Sequence, residues 1–142
     1  MKEHKIITYL EFGGNCEEAI NAYIAAFGGQ ILYISYWDEN NCEDISQVGR
    51  VMHAEFQLGG TRMAAGDAFG AQSPRGMKLM IHMDTKDEAE HAVSILEQGG
   101  EVINPLSPHP KPDDGGMGCV LRDRFGVLWI ITCPNPDKQN VG

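Results

Sequence analysis

Residues 6–37 read IITYLEFGGNCEEAINAYIAAFGGQILYISYW, and the glycine pairs that punctuate this stretch decide the fold. Ile6 to Phe12 is β-branched or aromatic and ends at Gly13-Gly14, the pattern of a strand. Asn15 stands where it can cap a helix over Cys16–Phe27, with Glu17 and Glu18 in the first turn, where the helix dipole favours anions. Ala19, Ile20, Tyr23, Ile24 and Phe27 recur at helical spacing and give one apolar stripe. Gly28-Gly29 stops the helix, and Gln30–Trp37 reads as a second strand. A polar loop over Asp38–Gly49 follows. VMHAEFQLG (Val51–Gly59) is a third strand and TRMAAGD (Thr61–Asp67) a fourth, turned at Gly59-Gly60.

The same order then recurs. Lys78–Met83 is a strand, and Thr85 caps a helix over Lys86–Gln98 whose stripe is Ala89, Ala92, Val93 and Leu96. Gly99-Gly100 stops it, Glu101–Leu106 is a strand, and Ser107–Gly116 is a Pro/Gly-rich loop. GCVLRD (Gly118–Asp123) and GVLWIIT (Gly126–Thr132) close the series. An offset of 71 places Gly28-Gly29 on Gly99-Gly100 and Leu10 on Ile81. The expectation is an α+β chain, one domain over 1–142, built from two tandem β-α-β-β-β modules at about 1–72 and 76–142. The Ala71–Gly76 segment, with its breakers Pro74 and Gly76, would join them.

At 142 residues the chain can bury a sizeable core without a disulfide or metal. Apolar residues make up 42% and charged residues 22%, a globular composition. The net charge of -9 repels a phosphate backbone, so nucleic acid is not an expected partner. No apolar run approaches the ~20 residues of a membrane span, and MKEHKIITYLEF lacks a signal-peptide core, so a cytoplasmic protein is expected. Cys16, Cys42, Cys119 and Cys133 contain no C-x-x-C pair and are expected as free thiols.

YLEFGGNCEEAINAYIAAFGG, VMHAEFQLGGTRMAAGD and DRFGVLWIITC resemble the PhnB-like branch of the vicinal oxygen chelate superfamily. That superfamily holds glyoxalase I, bleomycin-resistance proteins and extradiol dioxygenases, and the branch has carried a demethylubiquinone methyltransferase label. The resemblance spans about Ile6–Cys133. It implies curled mixed sheets around a cavity, helices on the opposite faces, a small-molecule ligand and a homodimer. In metal-dependent members, ligands lie near the start of each module's first strand and on a later strand of each module. Those positions fall here on Ile7 (or Thr8), Glu55, Lys78 and Ile130. Isoleucine cannot ligate and an ammonium repels the ion, so neither a metal nor another cofactor is expected. No G-x-G-x-x-G or phosphate loop is present, and no glycine-rich loop suited to a methyl donor.

Period-two alternation sorts the strand residues. Ile6, Thr8, Leu10 and Phe12 share a face suited to a helix, against Ile7, Tyr9 and Glu11; Leu79, Ile81 and Met83 stand against Lys78, Met80 and His82. Ala54, Phe56 and Leu58 stand against His53, Glu55 and Gln57. The candidate ligand-binding residues are therefore Tyr9, His53, Glu55, Met80 and His82, with no metal ligand assigned. Three functions remain open at this level. One is a metal-free binding protein. Another is an enzyme using His53 and Glu55 for acid–base chemistry, their pKa values shifted towards neutrality. The third is a metal-dependent isomerase, lyase or dioxygenase-type enzyme on a small oxygenated substrate, with displaced ligands Glu11, His53, Glu55 and His82, and Cys119 nearby as the repeat equivalent of His53. His91 and His109 read as solvated, His4 as terminus, and Trp129 as core. Met77, Met80 and Met83 form a methionine-rich wall, and the D-x-x-G of Asp123–Gly126 is a structural turn.

Overall fold

In the computed structural model, residues 7–42, 44–68 and 77–138 are described. Ile6, His4 and the Ala71–Gly76 connection lie outside them. The strands are β1 (Tyr9–Phe12), β2 (Gly29–Tyr36), β3 (Val51–Leu58), β4 (Thr61–Asp67), β5 (Leu79–His82), β6 (Glu101–Pro108), β7 (Gly116–Arg122) and β8 (Leu128–Pro134). The helices are α1 (Cys16–Phe27) and α2 (Lys86–Leu96). A single 3₁₀ turn, Ile45–Gln47, interrupts the polar loop after β2. The expected Pro/Gly loop is shorter than its composition suggests. Ser107 pairs with Gly118 and Pro108 with Met117, which extends both β6 and β7. Proline is tolerated because β6 is an edge strand, with one side free of any ladder.

Two mixed sheets result, ordered β1-β4-β3-β2 and β5-β8-β7-β6. The pairs β1–β4 and β5–β8 are parallel and the others antiparallel. The chain divides into two compact units, Met1–Ser73 and Pro74–Gly142, each holding one sheet and one helix. In the first unit α1 lies against β2, β3 and β4; in the second α2 lies against β7 and β8.

Each helix buries one stripe of its residues against its sheet. Cys16, Ala19 and Ile20 are fully buried, with Tyr23, over a layer containing Phe12, Ala54, Phe56 and Ala65. Ala89, Ala92 and Leu96 do the same over Cys119, Leu121, Trp129, Ile131 and Cys133. Burial follows the alternation: Ala54, Phe56 and Leu58 are buried while His53, Glu55 and Gln57 are not. Trp129 is buried as expected.

Two buried carboxylates fix the turns. Asp123 Oδ1 accepts from the N–H of Phe125 at 2.9 Å and of Val127 at 3.0 Å, and Oδ2 accepts from Trp129 Nε1 at 2.9 Å. The D-x-x-G turn is thus structural. Asn15, by contrast, makes no side-chain cap on α1. Asp67, at the end of β4, takes that role: Oδ1 accepts from Gly14 N–H at 2.8 Å and Cys16 N–H at 3.0 Å, and Oδ2 from Val51 N–H at 2.9 Å. Thr85 does cap α2, accepting from Glu88 N–H at 3.1 Å and donating to the Glu88 carboxylate at 3.0 Å.

Candidate functional site

The face of the first sheet opposite α1 carries polar and aromatic side chains. Register puts Tyr33, Glu55, Ala64 and Tyr9 in one row across β2, β3, β4 and β1. Ser35 pairs with His53 and Glu11 with Gly66 on the same face. Cross-strand partners point the same way, so the expectation that Tyr9, His53 and Glu55 share a face holds. The His53 ring stacks near Tyr9, centroids 5.9 Å apart at 21°, and Tyr33 is tilted to it, centroids 6.3 Å apart at 46°. Tyr33 was not singled out from sequence, although its parity with Glu55 across the hairpin was the available signal.

One glycine makes room for this cluster. A side chain added at Gly66 would meet the Tyr9 hydroxyl at 2.5 Å, so that hydroxyl rests directly on the Gly66 backbone. The residue remains 47% exposed. Its partial burial raises the Tyr9 pKa, assisted by Cys16, Glu11 and Asp67, and keeps the hydroxyl a donor.

His53 Nε2 lies 3.5 Å from Glu55 Oε2. The other oxygen of Glu55 accepts from Arg62 Nε at 3.0 Å and also bonds Arg62 Nη2. The Arg62 guanidinium holds the Glu55 carboxyl below the usual carboxylate range, outweighing partial burial, with His53 acting in the same direction. The expected shift of Glu55 towards neutrality is therefore reversed. Arg62, two residues before Ala64 on β4, is another residue the sequence reading overlooked. A carboxylate bonded this way orients its neighbours and is a poor proton acceptor.

The second sheet presents a different face. Asn104, Val120, Ile130 and Met80 form one row, and Ser107, Gly118, Thr132 and His82 the next. Met80 is 70% exposed, and His82 Nδ1 meets Thr132 Oγ1 at 2.8 Å. Met83 is buried instead, so the methionine wall is divided between two faces. His109 is not a solvated loop residue. Its ring covers β7, where a side chain added at Gly118 would meet Cε1 at 2.6 Å and one at Gly116 would meet Cδ2 at 3.2 Å. His91 is exposed on α2.

Repeat register corrects the place of Cys119. Glu55 pairs with Ala64 as Val120 pairs with Ile130, so His53 corresponds to Gly118. Cys119 points into the α2 side, fully buried, where burial raises its pKa. Cys16 is likewise buried, its thiol pushed up to about 12 by burial and then by Asp67 and Glu17. Both thiols are poor nucleophiles and ligands.

The side chains at the family's metal positions do not fit a divalent ion. Glu55 is bonded to Arg62, Lys78 is cationic, and Ile130 has no donor atom. Among the described residues, no three His, Cys, Asp or Glu side chains come together as a metal-binding group, so Glu11, His53 and Glu55 form none on the first sheet. No described helix is long and apolar enough to cross a membrane.

Comparison with known proteins matches residues 4–132 to the family described as 3-demethylubiquinone-9 3-methyltransferase. Protein YjdN of Escherichia coli (strain K12) is 28% identical over 136 residues, covering 87% of this chain and 90% of that one. The PhnB protein from Bacillus cereus, whose name carries the same methyltransferase wording, is 31% identical with a TM-score of 0.79, covering 92% of this chain and 99% of that one. A glyoxylase/bleomycin resistance protein/dioxygenase domain from Frankia sp. EAN1pec shares the fold, with a TM-score of 0.65 at 12% identity, covering 95% and 100%.

Proposed function

The chain belongs to the PhnB-like family of the glyoxalase/bleomycin-resistance superfamily, and from that premise we propose that it is a cytoplasmic protein that binds a small organic molecule without a metal. On the first sheet the contacts in this reading are Tyr9, His53 and Glu55; on the second, taken by itself, they are Met80 and His82. One observation carries it: an imidazole close to two exposed tyrosine rings, beside a carboxylate locked by Arg62, on a sheet face cleared by Gly66. Exposed aromatic surface with a few fixed polar groups is the usual make-up of a ligand site.

The reading does not extend to methyl transfer. A nucleoside-bearing methyl donor would meet a strand–glycine–helix junction, yet the α1 junction at Gly14 and Cys16 is filled by the Asp67 carboxylate. The α2 start is likewise occupied by Thr85 and Glu88.

The test is a thermal-shift screen of phenols, aromatic carboxylates and dicarbonyl compounds. A ligand at 100 times its Kd adds about 2.7 kcal/mol, enough to raise Tm by several degrees. His53→Ala should weaken such a ligand at least tenfold while moving the ligand-free Tm by only a few degrees, because the ring is half exposed. Failure of every compound to shift the wild type, or an undiminished shift in His53→Ala, would defeat the reading.

We further propose that the chain pairs as a homodimer, since among the described residues each sheet ends in edge strands paired on one side only, and β2 exposes Leu32, Tyr33 and Tyr36. Light scattering should give about twice 15.6 kDa. A mass of one chain at micromolar concentration would exclude it.

A further inference from the structure

On the second sheet, His82 and Thr132 share a hydrogen bond whose direction follows the imidazole tautomer. Thr132 Oγ1 lies 2.8 Å from His82 Nδ1 and 3.4 Å from the carbonyl oxygen of Ile81. Both contacts are hydrogen bonds at once in one arrangement: the hydroxyl gives its proton to the carbonyl, which can only accept, and turns a lone pair towards the imidazole. In that arrangement His82 donates from Nδ1. In the neutral ring this leaves Nε2 as a bare acceptor. His82 is exposed, and Nε2 has no partner among the described residues.

The surroundings define what that acceptor meets. Beside it on the same face run Met80, Ile130 and Val120, an apolar row with Met80 largely uncovered. In the row of His82 and Thr132, the next strand carries Gly118, whose missing side chain is replaced by the ring of His109. The face thus sets the His82 acceptor between apolar and aromatic flanks, with Asn104 and Ser107 at the β6 ends of the two rows. No acidic or basic side chain occupies either row besides the imidazoles.

We propose that Thr132 is a positioning residue that holds His82 as the Nδ1–H tautomer, and that His82 Nε2 accepts the hydroxyl proton of a neutral phenol- or enol-type ligand lying on Met80 and Ile130. The ligand class rests on the binding reading given above, whereas the tautomer does not. No bond is made or broken in this step; the hydroxyl donates and the ring accepts.

The experiment uses the full chain labelled with ¹⁵N-histidine. At pH 8.5, long-range ¹H–¹⁵N spectra should show His82 protonated at Nδ1. Thr132→Val should move the proton to Nε2, and Thr132→Ser should keep it at Nδ1. In the second arm 2-naphthol is the probe and 2-methoxynaphthalene its control, equal in shape but without the hydroxyl. 2-Naphthol should shift the His82 resonances and bind at least tenfold tighter than the ether. That preference should vanish in Thr132→Val and persist in Thr132→Ser. An Nε2–H tautomer in the wild type overturns the positioning role, whatever binds. Equal affinity for naphthol and ether, or no perturbation of His82, overturns the ligand class while leaving the tautomer standing. Loss of binding by both probes, with the Nδ1–H tautomer observed, counts against the small-molecule reading itself.

Discussion

Replacing Asp67 by alanine is expected to lower stability by about 3 kcal/mol and Tm by roughly 10 °C. The carboxylate is 7% exposed and satisfies three backbone donors, Gly14, Cys16 and Val51. Removing it strands at least two of them in a buried setting and takes a negative charge from the N-terminus of α1. Asp67→Asn keeps one acceptor oxygen and should cost about half as much. Asn15→Ala is the control: its side chain makes no cap bond, so the change should stay within about 0.5 kcal/mol instead of the ~1 kcal/mol usual at an N-cap. Thermal unfolding of the three variants, with amide exchange at Gly14, Cys16 and Val51, decides the matter. A smaller loss for Asp67→Ala than for Asn15→Ala would return the cap to Asn15.

Why Asp67 escaped the sequence reading, while Asp123 did not, is a matter of range. Asp123 bonds residues two and four positions on, and the D-x-x-G spacing displays that directly. Asp67 reaches back 51 and 53 residues to α1, and its last place in TRMAAGD says nothing of what lies beside it. Only the parallel pairing of β1 with β4, which sets Phe12 opposite Asp67, brings the carboxylate to the helix start. Local propensity named Asn15, and tertiary structure supplied a better acceptor.

The site was legible to the same depth. Alternation along single strands sorted Tyr9, His53, Glu55, Met80 and His82 correctly from the residues under the helices. Interactions across strands were not visible, so Arg62, Tyr33 and the ring of His109 over Gly118 were missed. The misplacement of Cys119 has a countable cause. Tyr33 matches Asn104 at an offset of 71, but Glu55 matches Val120 at 65, because the loop after β2 is longer than that after β6. Equivalences counted beyond that loop need the ladder itself. A shift of one residue exchanges an open face for a buried one, as it did for Cys119.

The glycine pairs that first marked the repeat support the second large prediction. Gly29→Ala is expected to cost about 4 kcal/mol and Gly100→Ala about 2 kcal/mol, both through backbone collision. The two positions are repeat equivalents where the chain leaves a helix and enters an edge strand. At Gly29 a Cβ would be driven into the carbonyl of Gln57 on β3, and φ is +145°, outside the usual range of L side chains. At Gly100 the obstacle is the carbonyl of Arg122 on β7, without the unfavourable φ. Gly28→Ala separates the two causes, since φ there is +80° but nothing lies within 4 Å of the added carbon. It should cost only the conformational strain, about 1 kcal/mol. Urea unfolding of the three variants should rank them Gly29, Gly100, Gly28 in decreasing loss. A Gly28→Ala loss equal to that of Gly29→Ala would mean that backbone conformation alone selects glycine. The close approach of each helix exit to its sheet would then not be what the paired glycines preserve.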